Sequence, residues 1–170
     1  MFIFVFLEFV STVLAPVTTI PLIPIASNLW GWQIAGALSV LGWFLGAMVA
    51  FEIARRYGIP IVKKFVPLKN LRSFEGMIPE KNLFWGVVFL RLIIPVDILS
   101  YTLGLFSRIG RGKYALATFI GIIPFSFLIA YLGTVTLKYQ IIALVVGSTA
   151  FIIICVLQAS QIRKRLRLPK

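Results

Sequence analysis

Charge disappears from this chain in long runs. Phe9 to Phe51, Tyr114 to Leu137 and Tyr139 to Ile162 contain no Asp, Glu, Lys or Arg. A membrane-spanning helix needs about 20 apolar residues, so each of the last two runs predicts one span. The first run is about twice that length, but Pro16, Pro21 and Pro24 interrupt it. A helix interior tolerates proline poorly, because the ring crowds the preceding turn and the N–H is missing. The pattern therefore predicts a continuous span only after Ser27 and Asn28, over residues 28–56. Residues 1–14 are too short to cross and, with the Pro-rich segment, form a hairpin over 1–27 that enters the bilayer and returns. A cleaved signal peptide competes for 1–15. Against it stand the missing basic n-region, Glu8 and the lack of a small-x-small cleavage site.

The segment 84–106 is long enough to span yet holds Arg91, Pro95 and Asp97. Basic residues gather on the cytoplasmic side of membrane proteins, which tests whether it crosses. If it does, the seven bases from Arg55 to Lys81 and Lys138 balance eight others in the 108–113 turn and the tail. If it enters and leaves on one side, fifteen bases share that face and Lys138 alone lies opposite. The asymmetric answer predicts a re-entrant hairpin opening to the cytoplasm, and a cytoplasmic C-terminus.

The expected architecture is an all-α integral membrane protein in a single domain over 1–170. Re-entrant hairpin 1–27 is followed by a transmembrane helix over 28–56 and a basic interfacial loop over 57–83. Re-entrant hairpin 84–106 is followed by transmembrane helices over 112–135 and 139–162 and a basic tail over 163–170. The two hairpins have opposite orientation, and each precedes a span. Inverted repeats with broken helices that meet near the midplane are a recurrent transporter plan. In sequence the duplication is faint: Pro24-x-x-Ser27-x-x-x-Gly31 overlays Asp97-x-x-Ser100-x-x-x-Gly104 and little else aligns.

Composition narrows the chemistry. The chain has 170 residues, 60% hydrophobic and 13% charged, with five acids, one Cys and no His. Without His there is no Ser/His/Asp triad and no His-ligated zinc, and one Cys excludes an internal disulfide. We expect no enzyme, no cofactor and no metal. The net charge of +12 would point to nucleic acid in a soluble protein; here it reads as basic loops facing anionic lipid, with no nucleic-acid partner.

Within this frame a few residues carry candidate chemistry. Gly42, Gly46, Ala50, Ala54 and Gly58 recur every four residues, a small-residue stripe that lets another backbone approach closely. It reads as a bed for a hairpin, with a homo-oligomer face as the alternative. Arg91 and Asp97 flank Pro95 in an apolar segment. Such charges cost roughly 2.5 to 3.5 kcal/mol each at bilayer depth, so they face a protein-lined polar site or each other. Ser100 and Tyr101 add hydroxyls. Glu8, with Ser11, Thr12, Thr18, Thr19 and Ser27 near it in sequence, either meets this site at the midplane or sits at the outer interface. Glu52 stands at helical pairing distance from Arg55 and Arg56. Leu68, Leu71, Phe74 and Ile78 fall on one face between basic residues, as in a helix lying among headgroups. The tail from Arg163 to Lys170 attracts anionic lipid.

The stretch Arg91-Leu-Ile-Ile-Pro95-Val-Asp97-Ile-Leu-Ser100-Tyr101-Thr-Leu-Gly104 resembles the VTT domain of the SNARE-associated Golgi protein superfamily, which includes bacterial DedA proteins and yeast Golgi-vesicle membrane proteins. Thr118-Phe-Ile-Gly121-Ile-Ile-Pro124, Tyr131-Leu-Gly133, Pro21 to Pro24 and Arg55-Arg-Tyr-Gly58 are similar to the family's other landmarks. The resemblance implies two facing re-entrant hairpins and lipid movement between leaflets, by phospholipid scrambling or polyprenyl-phosphate flipping. It also implies that Arg91 contacts a phosphate with Asp97 as the acidic partner. Gly104 and Gly121 are further candidate helix-packing positions. Ile25-Ala26-Ser27 stands where DedA-type members usually carry an acid, and Pro95-Val-Asp97 brings the chain nearer the yeast Golgi branch. Membrane lipids are the expected partners, and the plasma membrane the location in a prokaryotic host. A proton-coupled transporter of a small anion or solute, through Asp97 or Glu8, is the first alternative. A structural or assembly protein without transport is the second.

Overall fold

A computed structural model describes residues 1–14, 19–65 and 82–135. The predicted span 139–162, the tail 163–170 and residues 66–81 of the interfacial loop lie outside the described residues. Six helices occur among those described: α1 (Phe2–Val13), α2 (Leu22–Trp30), α3 (Trp32–Val62), α4 (Leu83–Leu90), α5 (Val96–Phe106) and α6 (Arg111–Leu132). Only α3 and α6 are long and apolar enough to cross a membrane.

The two segments predicted as hairpins are each a pair of short helices around a break. In the second, α4 ends as the chain turns through residues 91–95, and Pro95 opens α5 with an extended ψ of 142°. In the first, Pro21 and Pro24 do not interrupt a helix. They stand at the N-cap and in the first turn of α2, where no intrahelical N–H bond is lost. Asn28, the first residue of the span expected over 28–56, belongs instead to α2, together with Ser27 of the expected hairpin. Their side chains bond back to the carbonyls of Ile23 and Pro24. The boundary falls at Gly31, whose φ of 84° is a left-handed conformation that glycine adopts without penalty. The long helix then runs beyond residue 56 to Val62, with a kink at Gly58 (φ 64°, ψ −161°) two residues before Pro60.

Helix α3 is the common bed. Its Gly42 and Gly46 receive α1: a methyl group at Gly42 would stand 2.5 Å from Glu8 Cβ, and one at Gly46 would stand 2.6 Å from Thr12 Cβ. One turn further, Ala50 and Ala54 are buried, and Gly104 of α5 lies so close that a methyl group there would stand 2.5 Å from Ala54 Cβ. One helix from each broken pair thus rests on the same stripe, at contact distances only small side chains permit. Gly58 lies outside this contact, because a side chain there would meet only Pro60. Helix α6 packs beside α3, with the Ser126 hydroxyl donating to the Gly36 carbonyl at 2.8 Å. Gly121 of α6 takes α4, where a methyl group would stand 2.8 Å from Arg91 Cβ.

Polar side chains close the exposed helix ends. Arg55 of α3 donates to the carbonyls of Ser107 (2.6 Å) and Ile109 (2.9 Å) and more distantly to Leu103 and Gly104 (3.4 Å each). A guanidinium there satisfies acceptors that no longer have intrahelical partners and meets the negative end of the α5 dipole. Asn28 does the same for α6, donating to the Gly133 carbonyl at 3.1 Å. Glu52 accordingly pairs with Arg56 (3.0 Å) and, across to α6, with Arg111, while Arg55 is engaged elsewhere.

Candidate functional site

Arg91 stands at the break between α4 and α5, and the apolar sequence around it leaves its side chain no aqueous outlet. It is 3% exposed, the one buried base among the described residues. Nη1 donates to the Val96 carbonyl at 2.7 Å, across the break. Nη2 faces three hydroxyl oxygens: Ser100 at 3.2 Å, Tyr114 at 2.8 Å and Thr118 at 2.9 Å. Ser100 is on α5, and Tyr114 and Thr118 are successive turns of α6, so the guanidinium ties three helices together. Tyr114 is itself pinned, since its hydroxyl donates to the Ala47 carbonyl at 3.0 Å and its ring stacks on Phe51 at 3.9 Å.

All of these partners are neutral. Among the described residues no carboxylate comes within 4.0 Å of the guanidinium. The Arg91–Asp97 ion pair considered from sequence is therefore not formed. Asp97 occupies the first turn of α5, half-buried, where an anion suits the helix dipole and where the Arg91 charge acts on it without a direct ion pair. A guanidinium carries five N–H donors. Here Nε–H has no partner and Nη1 meets a single acceptor. A buried charge without a counter-charge costs several kcal/mol, and hydroxyl dipoles recover only part of that. The arrangement is suited to an anion.

The other residues singled out from sequence are distributed differently. Ser100 joins the Arg91 cage, and it also donates to the Val96 carbonyl. Ser27 makes the same bond back to the residue four before it, which is the part of the faint internal match with a structural counterpart. Tyr101 does not reach Arg91; its hydroxyl donates to the Val13 carbonyl at 2.8 Å, fastening α5 to the end of α1. Glu8 is completely buried against Gly42. Its Oε2 accepts from Thr19 at 2.7 Å, Thr19 and Ser11 share a bond of 2.9 Å, and the hydroxyls of Ser11 and Thr12 donate to the Glu8 carbonyl. Trp43 approaches the carboxylate, but Oε1 closes no hydrogen bond of ordinary geometry. Glu8 and Arg91 share no hydrogen bond or ion pair.

Three participants were not recognised from sequence. Tyr114 and Thr118 are polar residues at i and i+4 inside an apolar span, with Gly121 one turn on, a spacing that puts all three on one interior face. Arg55, which the spacing offers as a partner of Glu52, is instead engaged with the carbonyls that follow α5. No group of three or more metal-ligating side chains occurs among the described residues.

No curated protein and no solved structure matches the chain. A family model described as the VTT domain matches residues 15–135, a range that holds the Arg91 cage, the α3 bed and the break before α2. With that match and its two apolar helices, the chain is an integral membrane protein of the VTT-domain family, in the SNARE-associated and DedA superfamily.

Proposed function

We propose that this protein moves lipids between leaflets, with the lipid phosphate engaging Arg91 while the acyl chains stay in the bilayer. The observation that carries this reading is the guanidinium itself: buried, held by three hydroxyls, and without an anion. A phosphate oxygen supplies the missing charge and accepts from N–H groups that the protein leaves unpaired. The small-residue bed of α3 lets the helices beside the site pack without bulky side chains between them.

In this reading the pairs α1–α2 and α4–α5 are the two re-entrant hairpins, opening to opposite sides, with the 108–113 turn and the C-terminus cytoplasmic. Phospholipid scrambling and polyprenyl-phosphate flipping share the same phosphate chemistry at Arg91. Reconstitution into liposomes with a chain-labelled fluorescent phospholipid tests the proposal. Exchange well above that of protein-free liposomes is expected. Exchange no faster than in empty liposomes, accompanied by uptake of a small anion, would replace it with solute transport. For the topology, single cysteines at Ser107 and Lys138, with Cys155 replaced, are expected to label from opposite sides. Same-side labelling would remove the second re-entrant hairpin.

A further inference from the structure

Each broken pair is held chiefly by itself and by the long helices. In the first, the Thr19 hydroxyl closes back onto Glu8, and α1 is seated on Gly42 and Gly46 of α3. In the second, Arg91 ties the break to α5 and α6, and Arg55 of α3 holds the carbonyls beyond the end of α5. The two pairs meet where α1 ends. There the Tyr101 hydroxyl of α5 donates to the Val13 carbonyl at 2.8 Å. Val13 is the last residue of α1, so its carbonyl has no partner within the helix. Tyr101 is completely buried, packs with Ala50 and Ala54 of the α3 stripe, and stacks its ring on Phe65 at 6.2 Å.

A bond of this kind suits a joint that opens. Both partners are neutral, and once parted each can bond to water or to a headgroup, so the net contribution of the bond is modest. The stripe beneath it, Gly46, Ala50 and Ala54, presents no bulky side chain to obstruct a shift of either helix. The joint is also connected to the polar cage. Ser100 and Tyr101 are consecutive in α5 and so project about 100° apart, Ser100 to Arg91 and Tyr101 to α1. A movement of α5 that parts Tyr101 from Val13 therefore reaches a hydroxyl that holds Arg91. We infer that the Tyr101–Val13 bond is a latch across the seam between the two broken pairs, closed in this structure, and that its release admits a headgroup between them. The inference rests on the lipid-movement reading above.

The test is Tyr101→Phe, which keeps the buried ring and removes only the hydroxyl. Full-length wild-type and variant proteins are compared in phosphatidylcholine liposomes with a chain-labelled phosphatidylcholine probe, and thermal unfolding is followed alongside. The latch predicts severalfold faster leaflet exchange in the variant, up to about tenfold, a factor that corresponds to about 1.4 kcal/mol. In a second arm, Val13→Cys, with Cys155 replaced, is labelled by a water-soluble maleimide, and adding Tyr101→Phe is expected to speed the labelling. Where wild type exchanges lipid, unchanged or slower exchange, or unchanged labelling, in a folded Tyr101→Phe protein would overturn the latch and leave lipid movement standing. A variant that no longer folds would mark the bond as a structural staple and overturn the latch equally. No exchange by wild type would overturn lipid movement itself, with the labelling arm still deciding whether the seam opens.

Discussion

The two buried polar clusters of this protein are built on opposite plans. Around Glu8 the carboxyl group accepts from Thr19, which Ser11 holds in turn, and the residue is pressed against α3 at Gly42. Around Arg91 the cation is served by two helices besides its own, α5 and α6, and, through Tyr114, by the Ala47 carbonyl of a fourth, α3. A local cluster fixes one fold of one segment. In the proposed function, a cluster that spans several helices without a carboxylate in contact holds a charge in place for a lipid phosphate. The proposed function gives stability to the first and ligand contact to the second, and substitutions can pull the two apart.

The largest effect is expected at Arg91. Arg91→Lys keeps the charge but loses the planar fork that reaches α5 and α6 together, so lipid exchange is expected to fall at least about tenfold, the equivalent of 1.4 kcal/mol of contact, measured in liposomes at equal protein content. Next come changes at the bed. Gly42→Val and Gly104→Val force side chains into contacts already at their limit, and overpacking of this kind costs about 1–3 kcal/mol. Thermal unfolding in detergent is expected to show the loss. Tyr114→Phe removes a hydroxyl that both receives from Arg91 and donates to Ala47. A buried partner left unsatisfied costs about 1–3 kcal/mol, and exchange is expected to drop severalfold with secondary structure intact.

Smaller effects sharpen the contrast. Thr19→Val removes the hydroxyl that donates to the Glu8 carboxylate and is expected to lower thermal stability by about 1–2 kcal/mol. Arg55→Met uncaps α5 and is expected to cost about 1 kcal/mol, read by the same melt. If Thr19→Val abolished exchange as fully as Arg91→Lys at unchanged stability, the division between the clusters would not hold.

How much of this was legible in the sequence differs by element. Charge-free runs located α3 and α6, since burial in lipid excludes charge along a whole helix. The break in the second pair was visible because Arg91, Pro95 and Asp97 stand in an otherwise apolar stretch. The break before α3 was misplaced by a few residues, because proline at an N-cap and in a first turn reads like proline that disrupts a helix. Only the backbone at Gly31 distinguishes the two cases. Similarly, the stripe from Gly42 to Gly58 has one period in sequence, yet four of its members pack and Gly58 bends.

Within the site, Arg91 was conspicuous as a charge out of place, and its cage was not. Tyr114 and Thr118 lie more than twenty residues away and become its partners only when α6 packs on α4 through Gly121. The ion pair with Asp97 is the simplest pairing the sequence offers Arg91, and the fold does not form it. Asp97 lies in the first turn of α5, while the Arg91 guanidinium is taken up by the Val96 carbonyl and the hydroxyls of Ser100, Tyr114 and Thr118.

The central claim is that the buried guanidinium exists to meet a lipid phosphate. Leaflet exchange of chain-labelled phosphatidylcholine in liposomes containing wild type or Arg91→Gln, with matched thermal stability, tests it most directly. The account predicts fast exchange for wild type and a rate near that of empty liposomes for the variant. Equal rates for two equally folded proteins would contradict it.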